Sequence, residues 1–267
     1  MTLARQIFRP IVAVLLVAAL SACTVPENGR AANDAPFDPY EKSNRGVHKF
    51  NLAVDRAFYR PAARGYTKFI PDPIEDSLNY FAANLSEPGD AANFLLQGDF
   101  RQAAISIGRF LMNSTIGFAG LANPASDFGI PETDTDFGAT LAVWGFSEGA
   151  YIELPFFGPS TQRDAVGVVA DFFTNPLTFA PQRPIENIGF YAEAFERLSD
   201  RGRFSDTVDS ILYESADSYA VARLIYLQNR RFRLEGNSGD SYVDPYDSLG
   251  GSDGGAALDP YEDPYAE

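Results

Sequence analysis

The sequence predicts an all-α fold, on three observations. Apolar residues recur near a 3.6-residue period along several segments between residues 38 and 235. Those segments are opened by capping residues and closed by Gly or Pro. No segment after the first thirty residues holds eighteen consecutive apolar residues, so no ordinary spanning helix is expected, and the helical pattern argues against a membrane β-barrel.

The first segment reads as an export signal. Arg5 and Arg9 precede the ten-residue apolar run Ile11 to Leu20, too short to cross a bilayer but suited to a signal core. Leu20-Ser21-Ala22-Cys23 resembles a bacterial lipobox, whose cysteine becomes the acylated first residue of a lipoprotein. One acyl chain holds a protein only weakly, so three make a durable anchor. Thr24 after the cysteine, by resemblance to enterobacterial sorting, favours the outer membrane. Cys23 is the only cysteine, which excludes internal disulfides and Cys-based zinc sites.

Residues 24–37 are polar and aperiodic, as a tether would be. Asp38-Pro39-Tyr40-Glu41 then starts a helix, with Asp38 as the cap, Pro39 in the first position and the stripe Tyr40, Val47, Phe50, Val54 and Phe58. Pro61 is expected to end it. A second helix carries Ile74, Leu78, Phe81 and Leu85 and is expected to break at Pro88. After the Gln97-Gly98 turn, Asp99 caps a third, whose Phe100, Ala103, Ala104, Ile107, Phe110 and Leu111 lie on one face. Gly117–Pro131 reads as a long apolar loop, a length that is often functional. Further helices are expected at 133–144, 159–174 (capped by Ser160 or Thr161, with a stripe of Ala165, Val166, Val169, Phe172 and Phe173), 184–199, 206–214 and 216–235. Arg230, Arg231 and Arg233 favour the final helix dipole, with anionic lipid headgroups as the sharper alternative.

The formal charge of −15 is unevenly spread. Residues 235–267 hold nine acids and no Lys or Arg, which leaves a net −8 for residues 23–234. Phosphate neutralisation needs a basic face, so nucleic-acid binding is excluded. The tail 236–267 repeats Asp-Pro-Tyr at 244–246, 259–261 and 263–265, and its composition predicts a disordered acidic segment. A solvated tail is the simpler reading and a docking motif the other.

Gly145-Phe-Ser147-Glu-Gly149 has the spacing of a hydrolase nucleophile elbow. Its flanks are reversed, however, with a helix before the serine and an extended run after it. The single histidine, His48, lies far upstream and reads as a helix-surface residue. No Walker loop, dinucleotide turn or metalloprotease His-Glu pair is present, so neither cofactor nor metal is expected and no catalytic residue is assigned.

Four stretches, in order, resemble the MlaA (VacJ) lipoproteins of Gram-negative outer membranes: DPYEKSNRGVHKFNLAVDRAFYRPAARGY at 38–66, NFLLQGDFRQAAISIGRFLMNSTIGFAGLANPA at 93–125, DFGATLAVWGFSEGAYIELPFFGPSTQRDAVG at 136–167 and ADSYAVARLIYLQNRRF at 216–232. The resemblance implies a single ring-like helical domain, 38–235, lying in one membrane leaflet, behind a signal peptide (1–22) and a lipidated tether (23–37). It implies a non-enzymatic role, in which mislocalised phospholipids leave the outer leaflet through an amphipathic channel and pass to a soluble periplasmic carrier, in association with a trimeric porin. Residue by residue it implies acylation of Cys23. It makes the loop from Gly117, with Phe118 and Leu121, a gate beside the channel, and Leu154, Phe156 and Phe157 contacts to lipid or porin, with Pro155 and Gly158 shaping the turn. Phe50 becomes a membrane contact of the first helix. The abundance of Phe (22) and Tyr (13) suits a surface apolar on more than one side, although ordinary core packing uses the same residues. The competing classes are a lipoprotein phospholipase or esterase using Ser147, and a purely structural porin-associated lipoprotein.

Overall fold

The computed structural model describes residues 36–174 and 188–236; the expected signal segment, Cys23, most of the tether, the 184–187 helix start and the Asp-Pro-Tyr tail lie outside the described residues. Helix α1 (Glu41–Val54) passes through a π turn (Asp55–Tyr59) into α2 (Arg60–Phe69). Pro61 therefore does not end the run. The π turn resets the hydrogen-bond ladder, and Pro61 falls in the first turn of α2, where its missing N–H costs nothing. Asp38 is not the cap either. Residues 39–40 form a turn, and the Asp38 carboxylate accepts from Asn44 Nδ2 at 2.9 Å, Arg223 at 2.6 Å and the Tyr219 hydroxyl.

Helix α3 spans Asp72–Gln97 and runs straight past Pro88, where a break was expected. Its N-terminal half packs on α8 (Ile188–Arg203), where Glu75 and Asn79 meet Ser199, and its C-terminal half on α4 (Phe100–Thr115), where Glu87 meets Arg109, which offsets an interior-proline cost of about 3 kcal/mol. The turn that follows is as expected. Gly98 takes φ +81°, and Asp99 Oδ1 accepts from the Gln102 amide at 3.0 Å.

The expected open loop contains a short helix, α5 (Pro124–Asp127), and α6 begins only at Phe137, with Asp136 as its cap (Phe137–Val143). The run 150–159, expected to be merely extended, and the first residues of the helix expected from 159 together form the one paired sheet among the described residues: an antiparallel hairpin of β1 (Tyr151–Leu154) and β2 (Gly158–Thr161), registered from Tyr151↔Thr161 to Leu154↔Gly158. Helix α7 (Gln162–Thr174) follows, with Thr161 Oγ1 accepting from the Asp164 amide at 3.2 Å. After α8 come α9 (Ser205–Asp209), a second π turn (Ser210–Glu214) and α10 (Ser218–Gly236).

The neighbour relations close on themselves. Helix α1 packs on β1, β1 on β2, β2 on α7, α7 on α6, α6 on α3, α3 on α8 and α8 on α2, which returns through the π turn to α1. The result is a ring-like circuit of helices carrying one hairpin. Its fully apolar centre is small, built from Tyr151, Tyr219 and Leu227 where the hairpin meets α10.

Candidate functional site

Polarity across the helices is inverted relative to a water-soluble domain. On α4 the inward positions are Ala103, Ser106, Arg109 and Asn113, while Phe100, Ile107 and Leu111 of the expected apolar face point outward, Phe100 72% exposed. On α1 the buried side chains are Asn44 and His48, and Phe50 is outside. More polar than apolar residues are buried among the described residues, and most of the buried apolar ones are alanine. Large exposed apolar side chains recur on α2 (Phe69), α3 (Leu95, Leu96), the turn after α6 (Trp144, Phe146) and the hairpin tip (Phe156, Phe157). So extensive an apolar exterior marks a surface that meets something other than water.

The interior is held by charge-assisted hydrogen bonds. Arg201 donates to both oxygens of Asp55 at 2.9 Å and to Asp209 at 2.7 Å, and Asp209 also accepts from Arg60 and Arg64 at 2.6 Å. This lattice ties the first π turn and the end of α9 to the end of α8. Arg230 donates to Asp136 at 2.6 and 2.7 Å and to Asp164 at 2.9 Å. Burial pushes the Asp164 carboxyl up, but Arg230 and Arg163 hold it below its ordinary value. Arg231 donates to Glu148 and Arg233 to Asp134. The three arginines near the C-terminus of the last helix are thus paired with the protein's own carboxylates, Arg230 in the interior and Arg231 and Arg233 in exposed pairs.

The loop after α4 is anchored at its base and exposed at its tip. Buried Arg109 donates to Glu87 at 2.6 Å and to the Ile130 carbonyl at 2.8 Å, and Asn113 bonds Asn123 at 3.1 Å and the Ala125 amide at 3.0 Å. Gly117 is buried, and a Cβ there would lie 2.5 Å from the Asn113 and Ala122 carbonyl oxygens. Phe118, Ala119 and Gly120 have φ of 54°, 62° and 94°; two non-glycine residues in the left-handed region turn the Phe118 ring outward, 80% exposed. Leu121 is also exposed. At the hairpin, Phe156 takes φ 67° and stacks edge-on against Phe50 with centroids 5.2 Å apart, joining two of the expected contact residues. Gly158 supplies the second positive φ of the turn, and Leu154 is half-buried.

Ser147 is exposed, in the non-helical stretch between Gly145 and Gly149, both with positive φ. The single histidine is committed elsewhere. His48 is buried, contrary to the helix-surface reading, with Nδ1 3.1 Å from Glu153 Oε1 and Nε2 3.0 Å from Ser218 Oγ. The Ser218–His48–Glu153 chain has the order of a charge relay. Glu153, however, is also held by the Tyr151 hydroxyl at 2.5 Å, and the first donors of α10 are taken by Asp217, whose Oδ1 accepts from the Ala220 amide and whose carbonyl accepts from Val221. The array acts as a cross-link between α1, β1 and α10.

The family model described as MlaA lipoprotein matches residues 36–233. The chain belongs to the MlaA lipoprotein family. The intermembrane phospholipid transport system lipoprotein MlaA of Escherichia coli is 34% identical over 206 residues, covering 74% of this chain and 79% of that one. Its namesake in Haemophilus influenzae is 29% identical over 226 residues, covering 83% and 88%. An uncharacterized protein of Rickettsia felis is 34% identical over 188 residues, covering 70% and 74%. A solved structure described as the structural basis for maintenance of bacterial outer membrane lipid asymmetry matches with a TM-score of 0.63 at 29% identity, covering 74% of this chain and 98% of that one. The inverted polarity therefore belongs to a fold associated with lipid transport. Sequence reasoning found the family but not the Arg201 and Arg230 lattices, whose partners lie between 8 and 146 positions away along the chain.

Proposed function

We propose that this protein is an outer-membrane lipoprotein that removes mislocalised phospholipids from the outer leaflet through an amphipathic channel within the helical circuit and passes them to a soluble periplasmic carrier. In this reading acylated Cys23 holds the chain at the membrane, the apolar exterior sits in the inner leaflet against a trimeric porin, and the loop from Gly117 gates the passage. The observation that carries it is the inverted polarity. Exposed Phe100, Ile107, Leu111 and Phe118 are costly in water and solvated in hydrocarbon, while the charged interior suits a headgroup that must cross. The named E. coli and H. influenzae relatives support the same reading. Transport proceeds without covalent turnover, Ser147 being a turn residue between two left-handed glycines.

Expression in E. coli cells lacking their own MlaA tests this. The full chain should restore detergent resistance and lower phospholipid in the outer leaflet, and Ser147→Ala should do so equally. A correctly localised chain that restores neither would refute the transport reading, and loss with Ser147→Ala alone would favour the hydrolase.

A further inference from the structure

The outer face of α1 carries a feature that channel passage does not use. Two open depressions lie end to end along it. One, of ≈ 470 Å³, is lined by Pro39, Tyr40, Lys42 and Ser43. The other, of ≈ 420 Å³, is lined by Ser43, Gly46, Val47, Phe50, Pro155 and Phe156. Ser43 is common to both, so they form one groove between helix and hairpin, running about 10 Å from Ser43 to Phe50 at 1.5 Å per residue. Its floor is open because Gly46 has no Cβ and nothing within 4 Å of where one would lie.

Two exposed lysines lie on the same helix as the groove. Lys42 lines one end, and Lys49, seven residues on, falls within about 20° of the same line on the helix. Both are exposed, and neither makes an ion pair among the described residues, whereas Arg45 on the same helix is held by Glu41 at 2.7 Å and Asp217 at 2.8 Å. In a chain of formal charge −15, two unneutralised lysines along an apolar groove are complementary to a negative headgroup with a hydrocarbon tail. We propose that this groove binds an anionic phospholipid of the surrounding leaflet, with an acyl chain along Gly46, Val47 and Phe50 under Phe156 and the headgroup phosphate between Lys42 and Lys49. The site deepens the transport reading and rests on it, since the groove meets lipid only if α1 lies at the membrane. It gives the protein a peripheral preference for phosphatidylglycerol-like over zwitterionic lipid.

The test uses the full lipidated chain in nanodiscs of phosphatidylcholine alone or mixed with phosphatidylglycerol. Benzoylphenylalanine replaces Phe156, the exposed aromatic over the groove, so that the floor at Gly46 stays open. Mass spectrometry of the photo-adduct should show phosphatidylglycerol enriched over its share of the bilayer by about fivefold per lysine, the attraction expected for one Lys at an anionic surface. Lys42→Gln with Lys49→Gln should bring the adduct ratio back to the bulk ratio while the chain stays inserted. Equal labelling of both lipids by the unsubstituted-lysine chain would overturn the proposal. So would enrichment that survives the double substitution, or an adduct to the chain's own tether or to a second protein. Failure of the full chain to insert into either bilayer would overturn the transport reading and the groove with it, whereas insertion with equal labelling overturns the groove alone.

Discussion

Asp90 is buried on α3, and burial, with Asp134 and Glu87 nearby, pushes its carboxyl up to about 8. An unfolded aspartate titrates near 4. The folded chain therefore holds the proton more tightly than the unfolded one, and this group's contribution weakens stability progressively as pH rises from about 4 to about 8, then levels off. Asp90→Asn removes the ionisation. Its melting temperature in detergent, relative to the unsubstituted chain, should climb across that window and stay constant above it. A difference independent of pH would show that Asp90 is ionised in the fold at neutral pH. The same residue marks a limit of the sequence. Nothing in DAANF distinguishes a buried aspartate from a solvated one, because its neighbours Asp134 and Asp171 arrive from other elements. His48 misled in the opposite sense: one turn of helix places it on a face that only Glu153 and Ser218 identify as interior.

At the scale of elements, α6 and α7 cross at two glycines. A Cβ on Gly167 would lie 2.5 Å from the Gly138 amide nitrogen, and one on Gly138 would lie 2.6 Å from Asp164 Oδ1. At Gly167 backbone meets backbone, so no flexible side chain can yield, whereas at Gly138 the nearest atoms belong to the Arg230 lattice. Gly167→Ala should destabilise the fold by about 1–3 kcal/mol, as overpacking does, read as a lowered melting temperature; an unchanged value would mean that the helices part freely. The helices themselves were legible from period, caps and the Gly98 turn. Prolines were over-read. Pro61 and Pro88 look like terminators locally, yet a π turn accommodates one and packing on both halves of α3 carries the other. The hairpin at 151–161 escaped notice because four-residue strands with Pro155 and Pro159 beside or within them carry too few positions to show alternation.

At the scale of the whole molecule, the period of an amphipathic helix identifies a face but not the medium that the face meets. Of the expected stripe on α4, Phe100, Ala104, Ile107 and Leu111 are exposed and Phe110 is half-buried, but Ala103 lies with Ser106 and Arg109 on the buried side; only the folded circuit shows which face is outward. The central claim is that this outward face lies in hydrocarbon. Trp144, the only tryptophan, belongs to the same apolar exterior at the turn after α6, half-exposed, its indole N–H donating to the Leu96 carbonyl at 3.0 Å. Fluorescence of the full chain reconstituted in bilayers therefore reports the claim directly, with quenchers placed either on lipid acyl chains as bromines or in the water as acrylamide. The account predicts strong quenching by acyl-chain bromines and weak quenching by acrylamide. Strong quenching by acrylamide with none from the brominated lipid would contradict it.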